Sequence, residues 1–329
     1  MKTLQLFFIF WCLLPLFTIA QTTNTVAAIN TIDFISDTQQ PMMVEKLVLK
    51  SDNNIKATAL IFANIVKTKP QSVYMLGDIV SLGFRNHKWR KVDKFLSNCR
   101  NENTLVCGLL GNHDVMGRKR KGERNFDKRF PQNVRTGYVS VTDSVAVILL
   151  NSNFNTLTSP DKKKQDNWYQ ETLNLLDSNE AIKAVIVTCH HAPFSNSKIV
   201  GSSESVQHNF VMPYIKSKKA QLFITGHSHN FEHFNLLGKD FLVIGGGGGL
   251  HQPININNKN LPDLAPDYKP LFHYLSVNRV DNVLKVTSHY LDNKFIDFGL
   301  GHSFTTTAIP KEYRGNLSLL GQLNQINTN

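Results

Sequence analysis

Leu105-Val106-Cys107-Gly108-Leu109-Leu110-Gly111-Asn112-His113-Asp114 passes from an unbroken apolar run straight into a polar turn. A short apolar run closed by such a turn reads as a buried strand, so Asn112 and His113 stand where that strand leaves its sheet. The Asn112 amide oxygen can ligate a hard or borderline metal, and His113 can give or take a proton near neutral pH. Four polar letters mean little by themselves. Their weight depends on whether other strands end in groups of matching chemistry.

They do. Thr31 to Asp37 alternates and ends in Asp37-Thr38-Gln39, a first strand that delivers polar groups at its C-terminal end. A helix is expected from about Ile55 to Lys67, with Ile55, Ala59, Phe62, Ala63 and Val66 on one face and Pro70 as its stop. Ser72 to Leu76 is a second buried strand, ending in Gly77-Asp78, and His87 to Cys99 is helical again before the Leu105 run. Strands alternating with helices predict a parallel sheet whose C-terminal ends share one edge, where ligands of open α/β sheets bind. Asp37, Asp78 and Asn112 then converge.

Farther on, Gly117 to Pro131 reads as a mobile charged loop, Tyr138 to Leu150 as a hairpin turning at Asp143, and Asp161 to Leu176 as a helix. Ala184 to Cys189 is another buried strand and ends in His190-His191-Ala192-Pro193. After a helix from about Val206 to Ile215, the strand Gln221 to Thr225 ends in Gly226-His227-Ser228-His229. The i, i+2 spacing of His227 and His229 points them to opposite faces if that segment is extended. In the last third, Phe241 to Ile244, Tyr274 to Val277 and Val283 to Tyr290 follow one another without helices between, which predicts a separate, mostly antiparallel sheet.

The ends of the chain carry their own signals. Lys2, the apolar segment Leu4 to Phe17 and Thr18-Ile19-Ala20 have the order of a secretory signal peptide cleaved near Ala20. Residues 21–329 are then an exported (periplasmic or secreted) single domain without a membrane span and with a loosely held polar tail after Ile309. The net charge of +11 suits phosphate-bearing partners. Nucleic acid is not indicated, because the one dense basic cluster, Arg118 to Lys121, lacks interleaved aromatics for base stacking. Oligomeric state carries no sequence signal. Loss of Cys12 with the signal leaves Cys99, Cys107 and Cys189, an odd set that argues against a disulfide framework, although Cys99 and Cys107 could pair. No CxxC is present to hold zinc through thiolates.

Taken together, Asp37, Asp78, Asn112, His191, His227 and His229 form a mixed oxygen and nitrogen donor set that suits manganese, iron or zinc better than calcium. The ordered series Asp37-Thr38-Gln39, Gly77-Asp78, Gly111-Asn112-His113-Asp114, His191-Ala192-Pro193 and Gly226-His227-Ser228-His229 resembles the calcineurin-like metallophosphoesterase superfamily, which includes the purple acid phosphatases. The resemblance covers roughly residues 30 to 235. It implies two packed mixed β-sheets flanked by helices, a four-layer αββα sandwich, and two divalent or mixed-valence metal ions. Asp78 is the implied bridging carboxylate. One ion is implied on Asp37, Asp78 and His229, and the other on Asp78, Asn112, His191 and His227. Asn112 and His113 are implied to touch the substrate, and His113 to stabilise the transition state or protonate the leaving group. The implied reaction is hydrolysis of a phosphate mono- or diester by a two-metal-activated hydroxide.

The series departs from its pattern twice. Gln39, a neutral oxygen donor, stands where most of the superfamily has His, which weakens the first metal site. Asp78-Ile79-Val80-Ser81-Leu82 lacks the tyrosine that ligates ferric iron in purple acid phosphatases. A binding protein that keeps the fold and a phosphate ligand but has lost turnover through Gln39 is the alternative reading. His190 is left as a strand-end residue or one that supports the ligands from behind, because His191 stands two before Pro193 as the pattern asks. The glycine run Gly245 to Gly249 is no nucleotide loop, since no Gly-Lys-Ser/Thr follows; it either walls the site beside His251 or is a plain connection.

Overall fold

In the computed structural model, which describes residues 30–47, 49, 53–255 and 262–307, the apolar runs become strands of two six-stranded mixed sheets. The leader segment and the tail after Ile309 lie outside the described residues. The first sheet is ordered β12-β11-β10-β1-β2-β3. Its parallel half is β1 (Thr31–Ile35), β2 (Ser72–Leu76) and β3 (Leu105–Leu109). The antiparallel half is β10 (His273–Val280), β11 (Val283–Leu291) and β12 (Phe298–Thr305), joined to β1 through β10. The second sheet is ordered β4-β5-β6-β7-β9-β8. In it β5 (Val145–Leu149), β6 (Ala184–Thr188), β7 (Ala220–Thr225) and β9 (Lys239–Ile244) are parallel. The strands β4 (Tyr138–Thr142) and β8 (Phe231–Leu236) close its two edges antiparallel.

Period-two alternation sorts the side chains into layers. Phe34, Tyr74, Leu76 and Leu109 of one sheet meet Val147, Leu149, Ile186 and Ile224 of the other in a dry seam. Val73, Met75 and Val106 face outward, under α1 (Asn54–Thr68) and α2 (Arg90–Asn101). On the far side Ile148, Val185 and Phe223 pack against the helical segment Ser159–Ser178 and the helical turns at 204–216. Helix, sheet, sheet, helix is the four-layer sandwich expected.

Three expectations are corrected. The last third makes no sheet of its own: β8 and β9 extend the second sheet while β10 to β12 complete the first. Periodicity marks a strand but carries no information on which edge it joins, and antiparallel pairing of β10 with β1 spans most of the chain. The charged stretch after Gly117 is not a loop. After the short turn α3 (Asn112–Val115) it forms α4 (Lys119–Asp127), pinned by fully buried Phe126, whose ring packs on Phe130 and Trp89. One aromatic anchor outweighed the charged face that suggested solvent. Finally, His227 is not extended; its φ is 67°. The hairpin at Asp143 holds, with Asp143 and Ser144 both at positive φ as a tight two-residue turn requires. Cys99, Cys107 and Cys189 are all free and buried.

Candidate metal centre

The parallel strands of both sheets run out at the same edge of the seam, and five of their ends supply the site. Asp37 and Gln39 follow β1, Asp78 follows β2, Asn112 follows β3, His190 and His191 follow β6, and His227 and His229 follow β7. Asp37, Asp78 and His227 have φ of 58°, 46° and 67°. Non-glycine residues in that left-handed region cost on the order of 1 to 3 kcal/mol each and persist only where their surroundings hold them. Here backbone bonds do: Asp37 N–H donates to the Gly77 carbonyl at 3.1 Å and Gln39 N–H to the Asp78 carbonyl at 3.0 Å. Gly111 and Gly226 permit close approach, since a Cβ there would lie 2.0 Å from Asp78 N and 1.9 Å from Ser36 Oγ respectively.

The donor atoms fall into two groups, each with its atoms within 4.8 Å of one another: Asp37, Asp78 and His229, and His190, His191 and His227. Asp78 connects them. Its Oδ1 accepts from His113 N–H at 2.7 Å, and its Oδ2 lies 3.3 Å from His190 Nε2. Asp37 Oδ2 accepts from His227 N–H at 2.9 Å, while Oδ1, 3.4 Å from His229 Nε2, is buried with no hydrogen-bond partner. An orphaned buried carboxylate oxygen is costly unless a cation faces it.

The histidines are oriented from behind. His190 Nδ1 donates to the Leu76 carbonyl at 3.0 Å, which turns Nε2 toward Asn112 Oδ1 at 3.1 Å. His229 Nδ1 donates to the Leu250 carbonyl at 2.7 Å. Fixing one ring nitrogen with an outer acceptor leaves the other's lone pair for a metal. His191 Nδ1 instead sits 2.9 Å from Ser152 Oγ, which accepts the His191 backbone N–H at 3.0 Å. His113 Nδ1 faces the Ser81 carbonyl at 3.4 Å, so Nε2 looks into the cleft. The Gln39 amide is fully used when its nitrogen donates to the Asp78 and Asp37 carbonyls at 2.8 and 3.1 Å; its oxygen then faces His229 Nε2 at 3.2 Å. The glycine run does wall the site. Gly247 N–H donates to the Ser36 carbonyl, Gly249 N–H to that of Asp37, and a Cβ on Gly249 would lie 2.5 Å from the His229 ring.

Charge follows the same division. Burial alone would raise the Asp78 carboxyl, but His190, with His113 and His227, holds it well below the usual range. Burial pulls His190 down, yet Asp78 and Asp37 prevail and raise it to about 9. His229 likewise rises against burial because of Asp37. His191 is lowered to about 3, and His227 also falls, by burial and then by the charge on His190. The two carboxylates thus draw positive charge onto His190 and His229, a charge that a bound cation would supply in its place. Asp114, buried and raised to about 7 by burial and by Asp78, accepts from the N–H groups of Ile79, Val80 and Gly111 and clamps the two central loops together. The mixed donor set and the bare Asp37 oxygen fit divalent ions such as manganese, iron or zinc.

Every metal candidate read from the sequence therefore reaches this edge. His227 and His229 serve different groups, as expected, but through the left-handed turn at His227 and not through extended alternation. Two contributors, Ser152 and Glu45, carry no signal in the sequence, and a third, His190, is set behind His191 there. His190 carried a visible signal, since it stands two residues past β6, much as Asn112 stands three past β3. Ser152 lies just past β5, in Asn151-Ser152-Asn153, which has no carboxylate or imidazole to mark it. Glu45, whose Oε1 is 3.7 Å from His113 Nε2, sits in a turn with no pattern of its own.

Comparison with solved structures gives a likeness of fold. Purple acid phosphatase PPD1 from yellow lupin (Lupinus luteus) seeds aligns at 16% identity over 84% of this chain and 53% of its own, with a TM-score of 0.60. This chain thus spans about half the length of that enzyme. GAP50, the anchor in the inner membrane complex of Plasmodium, aligns at 13% identity over 89% and 94% of the two chains, with a TM-score of 0.59. A dimetal phosphatase from Danio rerio aligns at 13% identity over 85% and 99%, with a TM-score of 0.54. No curated protein matches in sequence. The profile of the calcineurin-like phosphoesterases matches residues 31–231, over half of the chain and all of the strand ends described above, and the chain belongs to that family.

Proposed function

We propose that this protein is an exported, metal-dependent phosphoesterase that hydrolyses phosphate mono- or diesters. The observation that carries this reading is the pair of donor groups joined by Asp78 at one sheet edge, one fully buried and the other partly open, with His113 beside them. Asp37, Asp78 and His229, with the Gln39 oxygen, would hold one ion; Asp78, Asn112, His190 and His227 would hold the other. In this assignment His190 takes the place that the motif pattern gave to His191, because its Nε2 is the one turned to Asn112 and Asp78. His191 stays alongside as a neutral imidazole braced by Ser152. Two ions bound there would neutralise phosphoryl charge and acidify a water for in-line attack.

The chain's own groups do the rest. Asn112 hydrogen-bonds a phosphoryl oxygen through its amide nitrogen. His113, its Nδ1 against the Ser81 carbonyl, presents Nε2 to the phosphoryl group and hands a proton to the departing alcohol. Gly249 and Leu250 close the site behind His229. The test is to express residues 21–329, strip the metals, restore manganese, zinc or iron singly, and assay p-nitrophenyl phosphate and bis(p-nitrophenyl) phosphate. Near two ions per chain and turnover that depends on them are expected. A folded chain that binds one ion or none and turns over neither ester would move the weight to the non-catalytic binder.

A further inference from the structure

The metal cleft opens into a cavity of about 380 Å³ lined by Val44, Leu49, Ile199 and Val200 together with His113 and Glu45. Val44 and Ile199 are left 62% and 50% exposed, and with Leu49 and Val200 they line the same cavity, so they form a shared apolar wall and not scattered surface residues. Glu45 opens a single helical turn, accepts the Met42 N–H, and brings its carboxylate to His113. A carboxylate is an odd neighbour for a site that binds phosphate in a basic protein.

The segment that carries Ile199 and Val200 is built, not loose. Buried Glu232 of β8 accepts from Ser195 Oγ at 2.8 Å and from Asn196 N–H at 2.6 Å. Ser197 Oγ donates to Gln252 at 2.8 Å and accepts from the Ile199 N–H at 3.2 Å and the Val200 N–H at 3.4 Å. Two backbone bonds, Lys198 to Pro253 and Asn255 to Asn196, tie the segment to the strand-like stretch after the glycine run. Ile199 and Val200 are therefore presented in a fixed position, which is how a specificity wall is made.

We propose that the preferred substrate is a phosphodiester, that the ester group retained on phosphorus is apolar and packs on Val44, Leu49, Ile199 and Val200, and that Glu45 rejects monoesters. The proposal rests on the phosphoesterase reading. A phosphate monoester is largely a dianion near neutral pH, and its extra oxyanion would occupy the place beside His113 that Glu45 faces. In a diester that oxygen is uncharged and carries a group that covers exposed apolar surface. Water oxygen bonds to phosphorus, the P–O bond to the leaving alcohol breaks, and that alcohol departs with a proton from His113; one of the attacking water's protons restores His113 and the other is released to solvent. The product is a monoester dianion, which Glu45 expels. Hydrolysis stops after one ester bond.

The experiment uses the metal-restored protein with bis(p-nitrophenyl) phosphate, methyl p-nitrophenyl phosphate and p-nitrophenyl phosphate. Wild type is expected to release one p-nitrophenol per bis ester while p-nitrophenyl phosphate accumulates. Glu45→Gln should lower the diester-to-monoester ratio of kcat/KM about tenfold and begin to release the second nitrophenol. Ile199→Asn should reduce the preference for the bis ester over the methyl ester about fivefold, through KM more than kcat. Release of two equivalents by wild type, faster turnover of the monoester, or ratios unmoved by both variants would overturn this inference and leave the phosphoesterase reading intact. No turnover of any ester by a chain carrying its metals would overturn both.

Discussion

His190→Ala separates the structural assignment of the second metal site from the one the motif pattern implies. In the structure His190 Nε2 stands 3.1 Å from Asn112 Oδ1 and 3.3 Å from Asp78 Oδ2, and its Nδ1–H is spent on the Leu76 carbonyl. Removing it takes one donor of four from that ion. Because loss of an outer-shell partner alone costs about 10- to 100-fold in metal affinity, loss of the ligand should cost at least about 100-fold. The substitution also takes one of the Leu76 carbonyl's two donors, leaving it Ser36 Oγ at 3.0 Å, and opens a small cavity, together about 2 to 4 kcal/mol of stability. Folding must therefore be checked first, by circular dichroism at low temperature. His191→Ala is the internal comparison. Its Nδ1 partner is a serine hydroxyl that can turn elsewhere, so its affinity should fall by no more than about tenfold. Competition against a chelator of known affinity, with metal counting after gel filtration, reads both. If His191→Ala lost the ion and a folded His190→Ala kept it, the orientation argument from Leu76 would be wrong.

Three further outcomes follow from residues outside the ligand set. Asp33 is buried beside Ser276, and burial, against that one hydrogen bond, raises its carboxyl from 3.8 to about 7. The folded chain then holds a proton that the unfolded chain releases, so this stabilisation is complete below pH 3.8 and lost as pH rises through about 7. Asp33→Asn should accordingly flatten the decline between those pH values and raise stability at pH 8 by about 1 to 3 kcal/mol in urea unfolding; no gain there would contradict the burial argument. Gly249→Ala drives a Cβ to 2.5 Å from the His229 ring, and should cost about 1 to 3 kcal/mol and weaken one ion selectively, a full complement at wild-type affinity being the adverse result. Phe126→Ala should destabilise by about 3 to 5 kcal/mol, whereas a solvated loop at that place would register almost nothing.

The candidate site was more legible than the sheets that carry it, for a physical reason. Ligands sit at strand ends, and a strand end is a local event: an apolar run stops and a chemically distinctive residue follows. Asp78, Asn112 and His227 could be found within ten letters each. Sheet membership is not local. Nothing in His273 to Val280 records that this strand pairs with Thr31 to Phe34 and not with a neighbour in sequence. Phe126 shows the same limit at smaller scale, since its burial depends on Trp89 and Phe130 arriving from elsewhere.

The choice between His190 and His191 illustrates what pattern matching leaves out. Spacing to Pro193 favoured His191, and both residues did reach the cluster. Which ring offers its lone pair depends on what holds the opposite nitrogen, and that partner, the Leu76 carbonyl, belongs to a different strand. The same holds at Gln39. Its identity suggested a weakened first site, but the Asp78 and Asp37 carbonyls take both amide hydrogens and present its oxygen beside His229. A neutral donor held rigidly keeps its place at little entropic cost, whereas a charged one would add to a site that already concentrates Asp37 and Asp78. Gln39→His should then tighten the first ion only modestly, by less than about tenfold, because an imidazole there must displace those two backbone bonds before it can ligate. A hundredfold gain on chelator competition would mean that Gln39 contributes nothing to the site and that the first metal is in truth the weak one.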